Sequence, residues 1–375
     1  MTERPYQICN RCIMDTSDPY ITFDDQGNCN HCNSAVELAG QIWFPGENGE
    51  RMLTGTIERI KNEEKNKEFD CIIGLSGGVD SSYLAYITSK LGLRALVVHV
   101  DCGWNSEMAV KNIENIVKIL NIELHTFVVN WEEMKDLQRA FFKASLPDQD
   151  IPQDHAIFSA LYKFAVENNI KYVFSGYNFA TESILPDAWG FQAMDSRHLK
   201  SVHKQFGERA LIEFPHVTFI QRYIYFNFIK RMKIINPLNY INYQKEEAKR
   251  SLKNELGWQD YGQKHYESRF TKFFQSYYLP VKFHFDKRRA HLSSLIISGQ
   301  IARNNALDKI KENLYSESEI NSDLEYVAKK LDWSADEFRR IINLPPGDHK
   351  NFASNKRLFD LGLKLRKYYS QIFKK

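Results

Sequence analysis

No run of eighteen apolar residues occurs anywhere in this 375-residue chain, so no segment has the make-up of a membrane-spanning helix. The opening MTERPYQICN lacks the apolar centre of a secretory signal. One-sided charge is missing too. Lys and Arg number 50 against 47 Asp and Glu, a formal net charge of +3, which gives no electrostatic case for a nucleic-acid partner. Cysteine is scarce, with six in all, too few for a disulfide scaffold at this length. Internal repeats, low-complexity tracts and a Gly-Lys-Ser/Thr phosphate loop are also absent. What remains is a cytoplasmic enzyme of two or three domains, with 43% hydrophobic and 26% charged residues.

The most informative segment is Phe69–Ser82, FDCIIGLSGGVDSS. Cys71–Leu75 reads as a strand buried in a parallel sheet, and Ser82–Leu91 as the helix after it. Between them Gly77 and Gly78 let bare amides approach an anion, and the helix dipole points at the same spot. The bland alternative is an ordinary glycine-rich turn. Strands are expected again at Leu93–Val100, Leu124–Val129 and Lys171–Ser175, and helices at Val110–Leu120 and Ile157–Asn168. This alternation predicts an α/β fold with a doubly wound, mostly parallel sheet and ligands at its carboxyl ends. Asp101, closing the second strand, falls where a nucleoside would lie. Ser175–Glu182 (SGYNFATE) closes a later one, and its Gly176, Asn178, Thr181 and Glu182 suit a nucleotide or magnesium ion; a solvated loop is the alternative.

Four cysteines form two knuckles, Cys9-x-x-Cys12 and Cys29-x-x-Cys32. That spacing suits a closed tetrahedral thiolate site, hence structural zinc, with an iron–sulfur cluster or redox dithiols as alternatives. Neither Cys71 nor Cys102 is backed as a glutaminase nucleophile, so any ammonia must come from another polypeptide. Residues 1–45 read as a metal-stapled module, 46–68 as a connector, 69–240 as the phosphate-loop domain and 241–375 as a mainly helical substrate or partner region. In the last, Lys264-His265-Tyr266-Glu267-Ser268-Arg269 gathers cations, a histidine and a carboxylate, and Lys282–Arg289 is a second charged run. Leu211–Ile235 interleaves aromatics with basic residues. It reads first as core and subunit interface, then as a partner-docking face; a membrane-surface helix or nucleic-acid platform also fits the pattern.

SGGVDS resembles the pyrophosphate loop of PP-loop ATPases, which split ATP between its α- and β-phosphates. With SGYNFATES, KHYESRFT and KFHFDKRRAHLSSLIISGQ, the chain resembles the N-acetyl sugar amidotransferase family of that superfamily, which acts in lipopolysaccharide O-antigen and nonulosonate pathways. The resemblance implies conversion of a sugar's acetamido group to an acetamidino group through an adenylylated imidate. It implies a nucleotide-activated or related diacetamido sugar as substrate, and ammonia from partners resembling the glutaminase and cyclase of histidine biosynthesis. ATP phosphates are then expected on Ser76, Gly77, Gly78, Asp80, Ser81 and Ser82, with Mg2+ near Asp80. Lys264 and Arg269 are expected to face pyrophosphate or substrate charge, and His265 and Glu267 to accept a proton. The principal rival is a tRNA-thiolating PP-loop enzyme; a non-catalytic zinc-ribbon scaffold is another.

Overall fold

The computed structural model describes residues 4–262, 266–313 and 315–362. Five parallel strands form one sheet in the order β3-β2-β1-β4-β5: β1 Cys71–Gly74, β2 Ala95–Asp101, β3 Glu123–Val128, β4 Tyr172–Phe174 and β5 Lys233–Ile235. Every residue of β1 and β2 but the last in each is buried, as strands covered on both faces must be. The chain leaves β1 toward β2 and β3 on one side and reaches β4 and β5 on the other. The crevice between the carboxyl ends of β1 and β4 is therefore the switch point where ligands of open α/β sheets bind.

Helix α1 (Asn30–Ile42) ends the cysteine module, and α2 (Glu47–Glu63) follows. The stretch expected to be a connector is largely this 17-residue helix, which lays Leu53, Ile57 and Ile60 on the core formed with Cys71, Ile73 and Tyr172. Its four-residue spacing of Leu53, Ile57 and (at three) Ile60 is an amphipathic stripe. Helices α3 (Val79–Lys90), α4 (Glu107–Leu120), α5 (Trp131–Lys143) and α6 (Ile151–Glu167) complete the crossovers. A four-residue turn of helix, α7 (Phe179–Glu182), follows β4, and α8 (Ser196–Phe206) packs against α5. Helix α9 (Lys245–Leu256) then returns to α3 and α4, burying Leu252, Leu256 and Trp258 against Val79, Ile113 and Ile116.

The rest is helical, including Lys287–Ile297, Arg303–Lys311, Glu317–Lys330 and Ala335–Ile342. The first two of these grip the cysteine module. Arg303 donates to the Cys9 and Cys12 carbonyls at 2.8 and 2.9 Å, Arg289 to the Ile13 carbonyl at 2.9 Å, and the Ile13 amide to Ser293 Oγ at 3.2 Å. Leu211–Ile235 is core on one side only. Phe214, Val217, Phe226 and Met232 are buried, while Ile212, Ile220, Ile224, Phe228 and Ile229 are exposed. Among the described residues no helix is long and apolar enough to cross a membrane.

Candidate active site and metal centre

Gly78 caps α3, so Val79, Asp80 and Ser81 form its first turn rather than a loop ahead of it. Gly77 takes φ +81°, and a Cβ there would stand 2.6 Å from the Ala109 carbonyl oxygen, so only glycine fits. Within the loop Ser76 Oγ and Ser81 Oγ lie 3.1 Å apart, Ser76 Oγ accepts from the Gly78 amide at 3.2 Å, and Ser81 Oγ accepts from the Ser76 amide at 3.2 Å. Ser82 is fully buried, one position further round the helix.

Side chains from distant sequence hold this loop. Trp258 Nε1 donates to the Gly77 carbonyl at 2.9 Å, and the Val79 amide donates to the Tyr261 hydroxyl at 3.0 Å. Asp80 Oδ1 accepts from the Tyr243 hydroxyl at 2.5 Å and from Asn178 Nδ2 at 3.2 Å. Burial first, then the Asp80 charge, pushes the Tyr243 phenol well above its ordinary value, so it stays a donor. Asn178 also caps α7 through the Thr181 amide, and its Nδ2 donates again to the Gly176 carbonyl at 3.2 Å. Gly176 presses on the loop from β4, with the space for its Cβ 3.3 Å from the Asp80 carbonyl carbon. The expected residues Ser76, Gly77, Gly78, Asp80, Ser81, Gly176 and Asn178 thus come together at the switch point. Asp101 stands at the end of β2, accepting from the Gly103 amide at 2.8 Å and Asn105 Nδ2 at 3.1 Å.

Glu267 arrives on the same loop. A bridge between Asn105 and Ser268 docks its strand on the turn after β2, the Ser106 amide donates to its carbonyl at 2.9 Å, and its Oε1 would lie 2.8 Å from a Cβ on Gly78. Arg269 turns away. Its guanidinium pairs with Asp323, donates to Ser322 Oγ and stacks 3.9 Å from the Tyr326 ring centroid. It anchors the segment that presents Glu267. The expected Lys264 and His265 lie outside the described residues.

One cluster was not expected. Asp148, Asp150 and Asp154 precede or open α6, whose start lies at the carboxyl end of the sheet because its own end feeds β4. Asp150 accepts from Thr271 Oγ1 at 3.0 Å, Gln153 Nε2 at 3.2 Å and Gln275 Nε2 at 3.3 Å. Burial, only partly countered by Lys287, pushes its carboxyl up to about 6. Asp154 is raised well above the ordinary carboxylate range by burial, then by Asp150 and Asp148, with a smaller contribution from Glu182 of α7. The only sequence signal was the rhythm of three aspartates in Pro147–His155.

The four knuckle cysteines are fully buried, with Sγ atoms all within 4.8 Å of one another. Cys9 and Cys32 sulfurs stand 3.8 Å apart, Cys12 and Cys29 3.7 Å. A tetrahedron with bonds of about 2.3 Å has edges of about 3.8 Å, so the donor set fits zinc. Amides of Cys12, Met14, Cys29 and Cys32 donate to the sulfurs, which suits thiolates. His31 Nε2 is engaged by Asp18 at 2.6 Å and stands outside the set.

Residues 70–191 match the queuosine biosynthesis protein QueC family, and residues 267–366 match the C-terminal domain of WbpG-like LPS biosynthesis proteins. A curated relative, the tRNA-5-methyluridine(54) 2-sulfurtransferase of Pyrococcus horikoshii, is 27% identical over 139 residues. That is 36% of this chain and 42% of the relative, so the chain spans less than half of that protein's length. Among solved structures, the NH3-dependent NAD synthetase of Campylobacter jejuni is 16% identical with a TM-score of 0.29, covering 41% of this chain and 72% of that one. An NMN synthetase of Francisella tularensis is 16% identical with a TM-score of 0.26, covering 54% and 93%. The chain joins a QueC-like PP-loop ATPase domain to a C-terminal domain of the WbpG-like LPS biosynthesis proteins.

Proposed function

We propose that this protein is an ATP-dependent amidotransferase that converts the acetamido group of a bacterial surface-polysaccharide sugar into an acetamidino group. The observation that carries this reading is the docking of the WbpG-like segment, at Glu267, onto Gly78 of the PP-loop. The amide oxygen of the sugar attacks the α-phosphorus of ATP and pyrophosphate leaves. Ammonia then displaces AMP, which carries off the original amide oxygen, and the nitrogen gives up a proton to leave a neutral or protonated amidine. An amide oxygen is a poor leaving group, so the activation is chemically required.

The amides and hydroxyls of Ser76–Ser81 and the start of α3 bind the phosphates. Asp80 and Glu182 would hold Mg2+, which neutralises triphosphate charge when bound. Tyr243 and Asn178 fix the Asp80 carboxylate. Glu267 beside the loop and Asp154 at the head of α6 are the candidate proton acceptors. Water would hydrolyse the adenylylated imidate, so ammonia should reach it along a protected path from a partner glutaminase.

Sulfur transfer to tRNA is the second reading, favoured by the curated relative's name. Against it, Cys71 and Cys102 are both buried on different strands or their ends, and burial pushes each thiol far up, away from thiolate. The test is AMP and pyrophosphate release with excess ammonium chloride across diacetamido sugars, with bulk tRNA and sulfide as the alternative set. A sugar product in which NH replaces O establishes amidotransfer. AMP formation only with tRNA and a sulfur donor refutes it.

A further inference from the structure

The π-helical segment Gln221–Ile229 closes with the Lys230 amide donating to the Tyr225 carbonyl at 2.9 Å, a bond from i+5 to i. In such a helix residues four to five apart share a side. Ile220, Ile224, Phe228 and Ile229 have that spacing, and they are 65, 50, 73 and 66% exposed. Around them, Thr218–Ile235 contains Arg222, Lys230, Arg231 and Lys233 and no carboxylate. Phe359 stacks edge-on against Phe219 and Tyr223, with centroids 5.2 and 5.4 Å away. This sets the patch beside Lys356 and Arg357, with Asp360 the one carboxylate of residues 356–362. The whole chain is only +3, whereas Thr218–Ile235 alone carries +4.

We propose that this face is a peripheral contact site for an anionic lipid surface. Branched aliphatic side chains standing out among lysines and arginines match a leaflet that offers an apolar layer beneath negative headgroups. Single-stranded nucleic acid would use the cations and rings but gives Ile220, Ile224 and Ile229 nothing to stack on. A second copy of the chain would bring like charges together across a two-fold contact. A nine-residue helix is too short to span a bilayer, so the contact is on one leaflet.

The test is co-sedimentation of the full chain with phosphatidylcholine vesicles, with and without about one quarter phosphatidylglycerol, at low and high salt. Expected is binding to the anionic vesicles only, weakened by salt. Phe228→Asp/Ile229→Asp and, separately, Lys230→Glu/Arg231→Glu should each lower the partition coefficient at least tenfold, with circular dichroism and nucleotide binding unchanged. Failure to sediment with anionic vesicles overturns the proposal. So does a monomer–dimer equilibrium, or RNA retention, that these variants abolish while lipid partition is nil.

Discussion

The Glu267 carboxylate stands where a Cβ on Gly78 would be, with Oε1 at 2.8 Å, while the neighbouring Gly77 faces the backbone of Ala109 at 2.6 Å. Adjacent glycines are thus required for different reasons, one by a movable side chain and one by fixed main chain. Gly77→Ala should lower stability by about 1–3 kcal/mol, because a positive φ and a main-chain clash must both be met. Gly78→Ala should leave the melting temperature within a few degrees, yet raise the apparent Kd for ATP at least tenfold by pushing the Ser76 hydroxyl and the Glu267 carboxylate out of place at the phosphate loop. Thermal melts paired with ATP titrations separate the two.

Tyr243→Phe should reduce turnover at saturating ATP. Asp80 would keep Asn178 but lose its shorter hydrogen bond, which in a buried setting contributes about 1–3 kcal/mol. The measurement is the concentration of Mg2+ giving half-maximal AMP formation. It should rise in Tyr243→Phe, whereas a variant that merely loosens packing would change the melting temperature alone.

Asp150 predicts a pH dependence of stability. Its folded pKa of about 6 lies above the unfolded value near 4, so the native state holds the proton more tightly. Its contribution to stability is therefore full below about pH 4, declines as pH rises through about 6, and is then constant. Subtracting the unfolding free energy of Asp150→Asn from that of the parent at each pH isolates this term. The difference should shift against the parent between pH 4 and 6. A flat difference would place Asp150 in water.

Purified protein should contain one zinc per chain by elemental analysis. Cys12→Ser should lose the metal and several kcal/mol of stability, since metal binding to such a module is folding energy. His31→Ala should retain it, because His31 pairs with Asp18 rather than facing the sulfurs. Iron and visible absorbance in place of zinc would redirect the assignment to a cluster.

Arg269→Ala should lower kcat more than ATP affinity, although Arg269 contacts Asp323 and Tyr326 rather than the loop. Its loss frees the segment that presents Glu267. Asp323→Asn should reproduce the defect more weakly, and this shared pattern would mark positioning.

Four of the five strands were readable as short runs alternating with helices, and the loop because Gly77 and Gly78 follow such a strand; β5, Lys233–Ile235, was not, being three residues at the end of a segment that reads as core and interface. The knuckles were readable from spacing alone. Tyr243, Trp258 and Tyr261 were not. They reach the loop from more than 160 residues downstream, as ordinary aromatics on or near α9, and only the packing of that helix on α3 and α4 gives them a role. Asp150 and Asp154 were missed because a carboxylate's character depends on its burial, which local sequence does not reveal. The sequence marked Leu211–Ile235 as core and interface with several surface roles open, but its pattern did not say which of its apolar residues turn outward; Ile220, Ile224, Phe228 and Ile229 do.

The hydrogen bonds that Arg289 and Arg303 donate to the cysteine loops, and the one Ser293 accepts from the Ile13 amide, span 276 to 294 residues of chain. During synthesis the knuckles emerge long before the helices that clasp their carbonyls. A bound metal would therefore have to hold the module alone while most of the polypeptide is still being made, since contacts so distant in sequence form late. If zinc fills that site, its shortage would leave the first segment open with nothing yet to close it, a failure set by timing rather than by the finished protein's stability.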